Sequence, residues 1–364
     1  MRVRLPLLAA LRYEARGGRE RRFAGFARFA VLVMLVAAGA SPAAAQDSDA
    51  RVAGARARVR LATHAYQGRN RGPEQTERFS RTVRVGRDGR VSISNISGDI
   101  TVTGGSGDEM SIEAVKRAHG DQSQLAATHI IVDERPGRVD VRTEYDRTFR
   151  NNNVSVDYTV TVPSTVTLEV KSISGSVKVT SVQGAVRAES VSGNVTTAST
   201  PRLDAAKSVS GDIELTNAGT DADLSATSVS GSVRAKGLKA RSLEAGSVSG
   251  DVVLTDVACE RLGVKSVSGE LEFSGALARN GRYDFNSHSG SIRLTLAGST
   301  GFEISADTFS GSIRSELPLT IAGTPARVDR GRPGPGRAIR ATFGDGSASL
   351  TLRTFSGDIV ILKR

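Results

Sequence analysis

The sequence lacks most of the residues that build a disulfide-stapled fold, a cysteine-based metal site or an aromatic core. Its 364 residues include one cysteine, Cys259, and no tryptophan, and aromatic residues make up 4%. A single cysteine excludes an intramolecular disulfide and a cysteine-based metal site. The 39 glycines instead suit thin layers of small apolar side chains joined by many tight turns. Burial and backbone pairing must therefore hold the fold together.

The sequence also lacks an even distribution of its net charge of +11. Residues 1–45 hold eight arginines against two acidic residues, and residues 46–90 hold eleven against five. By subtraction, the remaining 274 residues carry 30 basic and 31 acidic side chains. Nucleic-acid binding needs a basic face on the fold itself, with aromatics for stacking, so nucleic acid is not an expected partner. Residues 46–90 are predicted to be a flexible basic linker, whose charge suits contact with anionic lipid or envelope polymer.

No apolar run is long enough to indicate a membrane span in the mature chain. Arginines precede a short apolar stretch at 29–39, which is followed by Ser41, Pro42 and an Ala-Ala-Ala site ending at Ala45. This arrangement predicts a signal peptide over 1–45, cleaved near Ala45. The alternative is an uncleaved anchor, but a spanning helix needs about 20 apolar residues. The expected location is the periplasm or the cell surface.

What the sequence does have is a repeat, seen in "KSVSGDIEL" from Lys207 to Leu215 and written again many times. From residue 193 onward the glycines of successive Ser-Gly corners are mostly 18 to 21 residues apart. A fixed period of this size indicates a solenoid. The corner glycines are at positions 98, 175, 184, 193, 211, 231, 250, 269, 290, 311 and 357.

Apolar residues alternate on both sides of each corner, which is the pattern of strands with one buried face. The residue before each Ser-Gly pair, such as Val267 or Phe309, is assigned to the buried row, and the chain is expected to bend there to keep both halves facing inward. His288 also precedes a Ser-Gly pair, so it is predicted to replace a core residue. It is the one site at which pH dependence should be tested. The predicted fold is all-β: a single-stranded right-handed parallel β-solenoid (β-helix), with two nine-residue units in each coil of 18–21 residues.

The predicted domain organisation continues from the linker. Residues 91–165 are a small N-terminal β-rich cap, in which 121–127 form a short helix and Pro136-Gly137 turn a hairpin. Residues 166–362 are the solenoid repeats, interrupted by a protruding basic loop at 324–340.

The recurring Ser-Gly-Asp sequence is interpreted as structural rather than chemical. The residue after glycine varies from Asp99 to Ala185, which a catalytic or metal position would not tolerate. A calcium-binding β-roll is the alternative, but it needs a glycine-rich turn with several oxygens for each ion. Asp345 between two glycines is a second candidate cation loop, for which a turn is the competing interpretation. No catalytic, cofactor-binding or metal residue and no cofactor is therefore predicted.

Three segments together carry a resemblance to a known family: "VDYTVTVPSTVTLEVKSISGSVKVTSVQGAV", the run of Ser-Val-Ser-Gly corners, and "FGDGSASLTLRTFSGDIVIL". From Val91 to Leu362 the chain resembles a bacterial adhesin family of β-strand repeats. It is an uncharacterised exported domain of unknown function, related to auto-transporter-like adhesin heads. The resemblance implies a β-solenoid associated with the cell envelope and supplies no catalytic residues.

The predicted function is that of an exported, non-enzymatic, adhesin-like scaffold that meets an envelope polymer or protein. One alternative is a β-helix enzyme acting on polysaccharide, which needs acidic and basic side chains clustered on neighbouring coils. Another is a regulatory or stress-sensing partner of a membrane protein. The side chains available to an enzyme are Glu189, Lys207, Glu214, Asp251, Lys265 and Glu270.

Overall fold

A computed structural model of the chain describes residues 74–119, 123–146, 153–321 and 337–364. The predicted signal peptide, most of the predicted linker and most of the loop predicted at 324–340 lie outside these residues. Within them, the chain forms 27 strands and one helix of four residues, Ser123–Ala126 (α1). The all-β prediction is confirmed.

The strands of the N-terminal half precede and follow α1. They are β1 (Glu74–Arg84), β2 (Arg90–Ser97), β3 (Ile100–Gly105), β4 (Glu109–His119), β5 (Thr128–Arg135), β6 (Arg138–Tyr145), β7 (Ser155–Pro163), β8 (Thr167–Ser174), β9 (Val177–Thr180), β10 (Val186–Ser192), β11 (Val195–Ala198), β12 (Leu203–Ser210) and β13 (Ile213–Thr216).

The remaining strands continue the same alternation of longer and shorter strands. They are β14 (Gly219–Thr227), β15 (Val233–Lys236), β16 (Lys239–Ser249), β17 (Val252–Thr255), β18 (Ala258–Ser268), β19 (Leu271–Ala276), β20 (Arg282–Ser289), β21 (Ile292–Ala297), β22 (Phe302–Ser310), β23 (Ile313–Ser315), β24 (Thr320–Ile321), β25 (Arg337–Phe343), β26 (Ala348–Ser356) and β27 (Ile359–Lys363).

The strands form two long sheets between which the chain alternates. Sheet A has the order β1-β4-β7-β3-β9-β11-β13-β15-β17-β19-β21-β27-β23, and sheet B the order β24-β25-β22-β26-β20-β18-β16-β14-β12-β10-β8-β2-β6-β5. Between β8 and β21, each coil gives one strand to each sheet and pairs in parallel with the next, as Leu168 does with Val186. The prediction of parallel stacking is confirmed for these coils. Neighbouring coils meet at the spacing of hydrogen-bonded strands, about 4.8 Å.

The interior between the sheets is filled by the alternate residues of every strand. In β8 these are Leu168, Val170 and Ser172, all buried, and in β9 they are Val177 and Val179. The core is mostly aliphatic, with an aromatic group where Phe273 packs against Tyr283 and Phe285. Seven of the ten aromatic residues that the structure describes lie in the C-terminal coils, from Phe273 onward.

One part of the predicted core pattern is wrong. The residue before Ser-Gly points outward: Ile173 is 53% exposed, and Val267 is 47% exposed. The strand does not bend there, so alternation from Leu168 and Val170 puts Ser172 inside and Ile173 outside. In most coils the buried hydroxyl at this position donates to a corner carbonyl of the neighbouring coil, as Ser208 does to Gly193 at 3.0 Å, whereas the Ser172 hydroxyl has no such partner among the described residues.

The two corners of a coil are built differently, so the coil does not consist of two equal nine-residue units. The Ser-Gly corner keeps its glycine against the corner of the coil before it. The opposite corner uses a residue with positive φ, such as Ser181 (φ 59°), Asn217 (φ 48°) or Asp256 (φ 52°). The residue after it is apolar and buried in most coils, as Val182 and Val257 are.

The corner glycines are required by contact between coils. A Cβ atom at Gly250 would lie 2.4 Å from the carbonyl oxygen of Gly231, and one at Gly231 would lie 2.2 Å from that of Gly211. The clashing atoms are backbone and cannot rotate away. Each glycine therefore sets how closely its coil approaches the next one.

The coils at both ends of the stack are not in sequence order. The coil of β26 and β27 pairs on one side with β20 and β21 and on the other with β22 and β23. The coil of β2 and β3 likewise lies between β6–β7 and β8–β9. A later segment therefore separates two coils that are consecutive in sequence.

Antiparallel strands cover both ends. At the N-terminal end β5 and β6 form the predicted hairpin, with Arg135 opposite Arg138, and β1 and β4 extend sheet A. At the other end β25 runs antiparallel to β22. Such strands limit the pairing that open parallel edges invite.

Two buried hydroxyls in one coil weaken the core. Thr197 and Thr200 are fully buried, and neither hydroxyl has a hydrogen-bond partner among the described residues. We expect Thr197→Val to raise the free energy of unfolding by about 1 kcal/mol, because it replaces an unpaired polar group with a methyl of similar volume. Urea denaturation measures the change.

The matched control for this change is Thr354→Val. The Thr354 hydroxyl donates to the Gly290 carbonyl at 3.0 Å, so its removal is expected to lower stability by about 1 kcal/mol. The expected result is a higher free energy of unfolding for Thr197→Val and a lower one for Thr354→Val. Equal losses of stability in the two variants would contradict it.

Candidate functional site

The outer face of sheet B carries a continuous row of apolar and aromatic side chains. These are the residues before the Ser-Gly pairs, held in register because the serines on either side of them pair between coils. The outer row, in stacking order, is Ile96, Ile173, Val191, Val209, Val229, Val248, Val267, His288, Phe355 and Phe309. Nine steps between these ten residues give a length of about 43 Å. An exposed apolar surface of this extent indicates an interaction site.

The outer row ends in three stacked rings, the aromatic end. The rings of His288 and Phe355 have centroids 5.1 Å apart and an interplanar angle of 9°. Those of Phe355 and Phe309 are 4.7 Å apart and inclined by 5°. The inserted β26 is what brings Phe355 between the other two. The stacked rings therefore follow from the exchanged order of the coils.

His288 is exposed rather than buried, which corrects the prediction that it belongs to the core. It occupies the outer row like the valines of earlier coils, and its ring stacks on Phe355. The sequence pattern had identified the row as a set but had placed it on the wrong face. The sequence signal for this exposed row is a β-branched or aromatic residue that stands directly beside a polar corner in every coil.

An open groove of about 570 Å³ runs along the aromatic end. Phe309 and Phe355 form one side, and Asp307, Arg353 and Ala338 form the other. Ser287, Thr308, Thr354 and Arg337 complete the lining. No ion pair within 4.0 Å among the described residues involves Arg337 or Arg353. The groove combines aromatic rings with two guanidinium groups and one carboxylate.

A charged column runs beside the outer row, two residues earlier in each strand. Four of its six charged members are basic: Lys171, Glu189, Lys207, Lys265, Arg353 and Asp307. Lys171 pairs with Glu169 at 2.7 Å, and Lys265 lies 4.0 Å from Glu244. The column gives this face a modest excess of positive charge.

The side chains proposed for an enzyme do not converge. Glu189, Lys207 and Lys265 lie in the charged column on sheet B, whereas Glu214 is exposed on sheet A. Asp251 and Glu270 lie at the Ser-Gly corners, where the Asp251 carboxylate accepts a hydrogen bond from the Glu270 backbone N–H at 2.9 Å. The six candidates are thus divided among three surfaces.

Acidic residues after the corner glycine join one coil to the next. The Asp212 side chain accepts a hydrogen bond from the Ser232 N–H at 2.8 Å, and Asp99 does the same for Ser176. The backbone N–H and hydroxyl of Ser312 hold the pKa of Asp358 below its usual range. These contacts give the recurring Asp a structural role.

The other chemical candidates also have structural environments. Asp345 accepts a hydrogen bond from the Ser347 N–H within a turn, and the side chain and backbone N–H of Ser347 together lower its pKa. Burial raises the pKa of the Cys259 thiol to about 12, so the thiol stays protonated at neutral pH. Among the described residues no group of three or more His, Cys, Asp or Glu is placed to hold a metal ion.

The repeat region matches a described family. Residues 205–362 match the family model described as Toastrack DUF4097. This region is similar to the Toastrack family. The resemblance to an uncharacterised adhesin-like family of β-repeats is confirmed. The Toastrack match covers the coils from β12 onward, including the inserted coil and the whole aromatic end.

The solved structures that match the chain are distant from it in sequence. A "putative adhesin" from Parabacteroides distasonis is 12% identical, with 79% of this chain and 97% of that chain covered and a TM-score of 0.41. One from Bacteroides fragilis is 12% identical with the same coverage and a TM-score of 0.39. A "putative lipid binding protein" from P. distasonis is 11% identical, again with 79% and 97% covered, and has a TM-score of 0.36. Because these TM-scores are all below 0.5, the three structures carry no argument about what this chain binds.

No curated protein matches the sequence. In the part of the chain that the structure describes, no helix has the length and apolar character needed to cross a membrane.

Proposed function

We propose that the protein is an exported, non-enzymatic scaffold of the cell envelope that holds an extended polymer along the outer row. The proposal includes a signal peptide over 1–45, a basic tether over 46–90 and a stack that winds right-handed. A periplasmic or surface location follows from the leader.

The outer row is the observation that carries this proposal. Six of its ten residues are exposed, including Val191 (47%) and Phe355 (49%), and the other four are half-buried. A straight row repeated at strand spacing offers equivalent contacts along its length, which suits a partner that is itself extended and repetitive. A catalytic role has no comparable support, because the candidate acids are spread over three surfaces.

Retention of envelope polymer tests the proposal. The domain is immobilised and incubated with cell-wall and outer-envelope fractions, and the retained carbohydrate and protein are quantified. We expect a double variant, Val191→Thr with Val267→Thr, to retain several-fold less polymer, because it removes apolar contact while keeping the side-chain shape.

The control variant is Val253→Thr, at a half-buried outward position of β17 on sheet A. It should retain as much polymer as the unmodified protein. Equal retention by the double variant and the unmodified protein, or retention of protein alone, would count against a polymer-binding row.

A further inference from the structure

We infer that the groove at the aromatic end binds a carboxylate-bearing sugar unit of a linear acidic glycan. The inference rests on the proposed function and names the chemistry of one part of the same face. It concerns only the C-terminal coils, where aromatic residues replace the valines of the outer row.

The first step in the argument is the arginine pair. Arg353 projects from β26 and Arg337 begins β25, and both line the groove. A guanidinium group has a planar set of donors that matches the two oxygens of a carboxylate. Because neither arginine is engaged in an ion pair within 4.0 Å among the described residues, both can receive an anion.

The second step is the ring stack on the opposite side of the groove. Phe355 and Phe309 are about half exposed, and their edges carry the positive part of the aromatic quadrupole. The apolar face of a sugar ring can pack against the exposed parts of these two rings.

The third step is Asp307, which selects among anionic ligands. Asp307 repels every anion that the arginines bind, a sugar carboxylate included, but it can also accept hydrogen bonds from sugar hydroxyls. A sugar acid brings both the anion that the arginines require and the donors that Asp307 requires. The lining residues thus fit a polyhydroxylated anion better than an anion without hydroxyl groups.

The fourth step excludes a peptide added as a strand. β26 is paired with β20 and β22, and β22 is paired with β26 and β25. The backbone groups at the floor of the groove are therefore already used within sheet B, and strand addition needs a free edge. A volume of about 570 Å³ is within the range of small-molecule sites, and its open form lets a polymer continue along the outer row.

Binding of defined oligomers to the full chain tests the inference. The probes are a tetramer of galacturonic acid, a glucose tetramer of the same length, and vesicles containing phosphatidylglycerol. Isothermal titration calorimetry for the oligomers and vesicle co-sedimentation give the affinities. We expect the acidic tetramer to bind at least about tenfold more tightly than the neutral one, since one charge-assisted pair contributes that much.

Variants assign the binding to the groove. Arg353→Gln is expected to lower affinity for the acidic tetramer by about tenfold or more, and Phe355→Ser by a similar factor. Arg353→Lys, which keeps the charge and loses the planar set of donors, should fall between. Lys178→Gln on the outer face of sheet A is the control and should leave affinity unchanged. All these side chains are exposed, so the fold tolerates the changes.

The outcomes separate this inference from the proposed function. Equal affinity for both tetramers, binding of vesicles alone, or an unchanged affinity in Arg353→Gln would overturn the inference. The outer-row variant Val191→Thr with Val267→Thr should bind the tetramer normally, because neither residue lines the groove. The double variant could lose polymer retention while neither it nor the unmodified protein binds the tetramer. That result would support the scaffold proposal and refute this inference.

Discussion

Gly250→Ala is expected to lower the free energy of unfolding by about 3 kcal/mol or more. The new Cβ would lie 2.4 Å from the Gly231 oxygen and 2.6 Å from its carbonyl carbon, well inside ordinary contact. Relief requires the coils of Gly250 and Gly231 to separate at a corner where hydrogen bonds hold them, since the Ser249 N–H donates to the Val229 carbonyl at 2.8 Å. Overpacking and lost pairing therefore act together.

Gly263→Ala is the control for this change. Gly263 lies in β18 and has no atom within 4 Å of the position that a Cβ would take. Alanine there is expected to be neutral or to stabilise by up to about 1 kcal/mol, because it restricts the unfolded chain. Urea denaturation of both variants gives the comparison. Similar stabilities would contradict the close contact between the corners of Gly250 and Gly231.

Leu352→Ala is expected to destabilise by about 3 kcal/mol and to loosen coils on both sides of β26. Leu352 is fully buried and pairs with Phe285 of β20 and Ala306 of β22. A cavity at this position faces two coils that are far from it in sequence. Amide hydrogen exchange should therefore show lower protection in both β20 and β22.

Val360→Ala on the neighbouring β27 is the matched control. Its side chain is half-buried and alternates with the buried Ile359 and Ile361. We expect a change of less than about 0.5 kcal/mol and normal protection in the adjacent coils. Reduced protection in only one of β20 and β22 after Leu352→Ala would contradict the inserted position of the last coil.

The sequence allows the parallel coils and the N-terminal hairpin to be predicted because both depend on local patterns. Alternation identifies Leu168 and Val170 as buried, and Pro136-Gly137 marks the turn between β5 and β6. The orientation of Ile173 is not accessible in the same way. Ile173 can point outward only because Ser172 is tolerated inside. In other coils the equivalent hydroxyl is accommodated by a corner carbonyl about one coil away, as the Ser190 hydroxyl is by the Gly175 carbonyl.

The site could be predicted only in part. Phe309, Phe355 and His288 share one place in the repeat, so the sequence groups them. Their contact depends on β26 entering between β20 and β22, and the repeat does not encode this because every coil has a similar pattern. Arg337 joins the groove through β25, an antiparallel strand outside the repeat. The period of the repeat therefore does not specify which coil pairs with which.

The interleaved last coil also affects how the domain bears mechanical load. β27 is bonded to β21 on one side and to β23 on the other. Tension drawn through Lys363 along the strand acts in shear on two rows of hydrogen bonds, whereas an outermost strand would be held by one row only. Backbone pairing on both sides therefore resists removal of β27 from the stack.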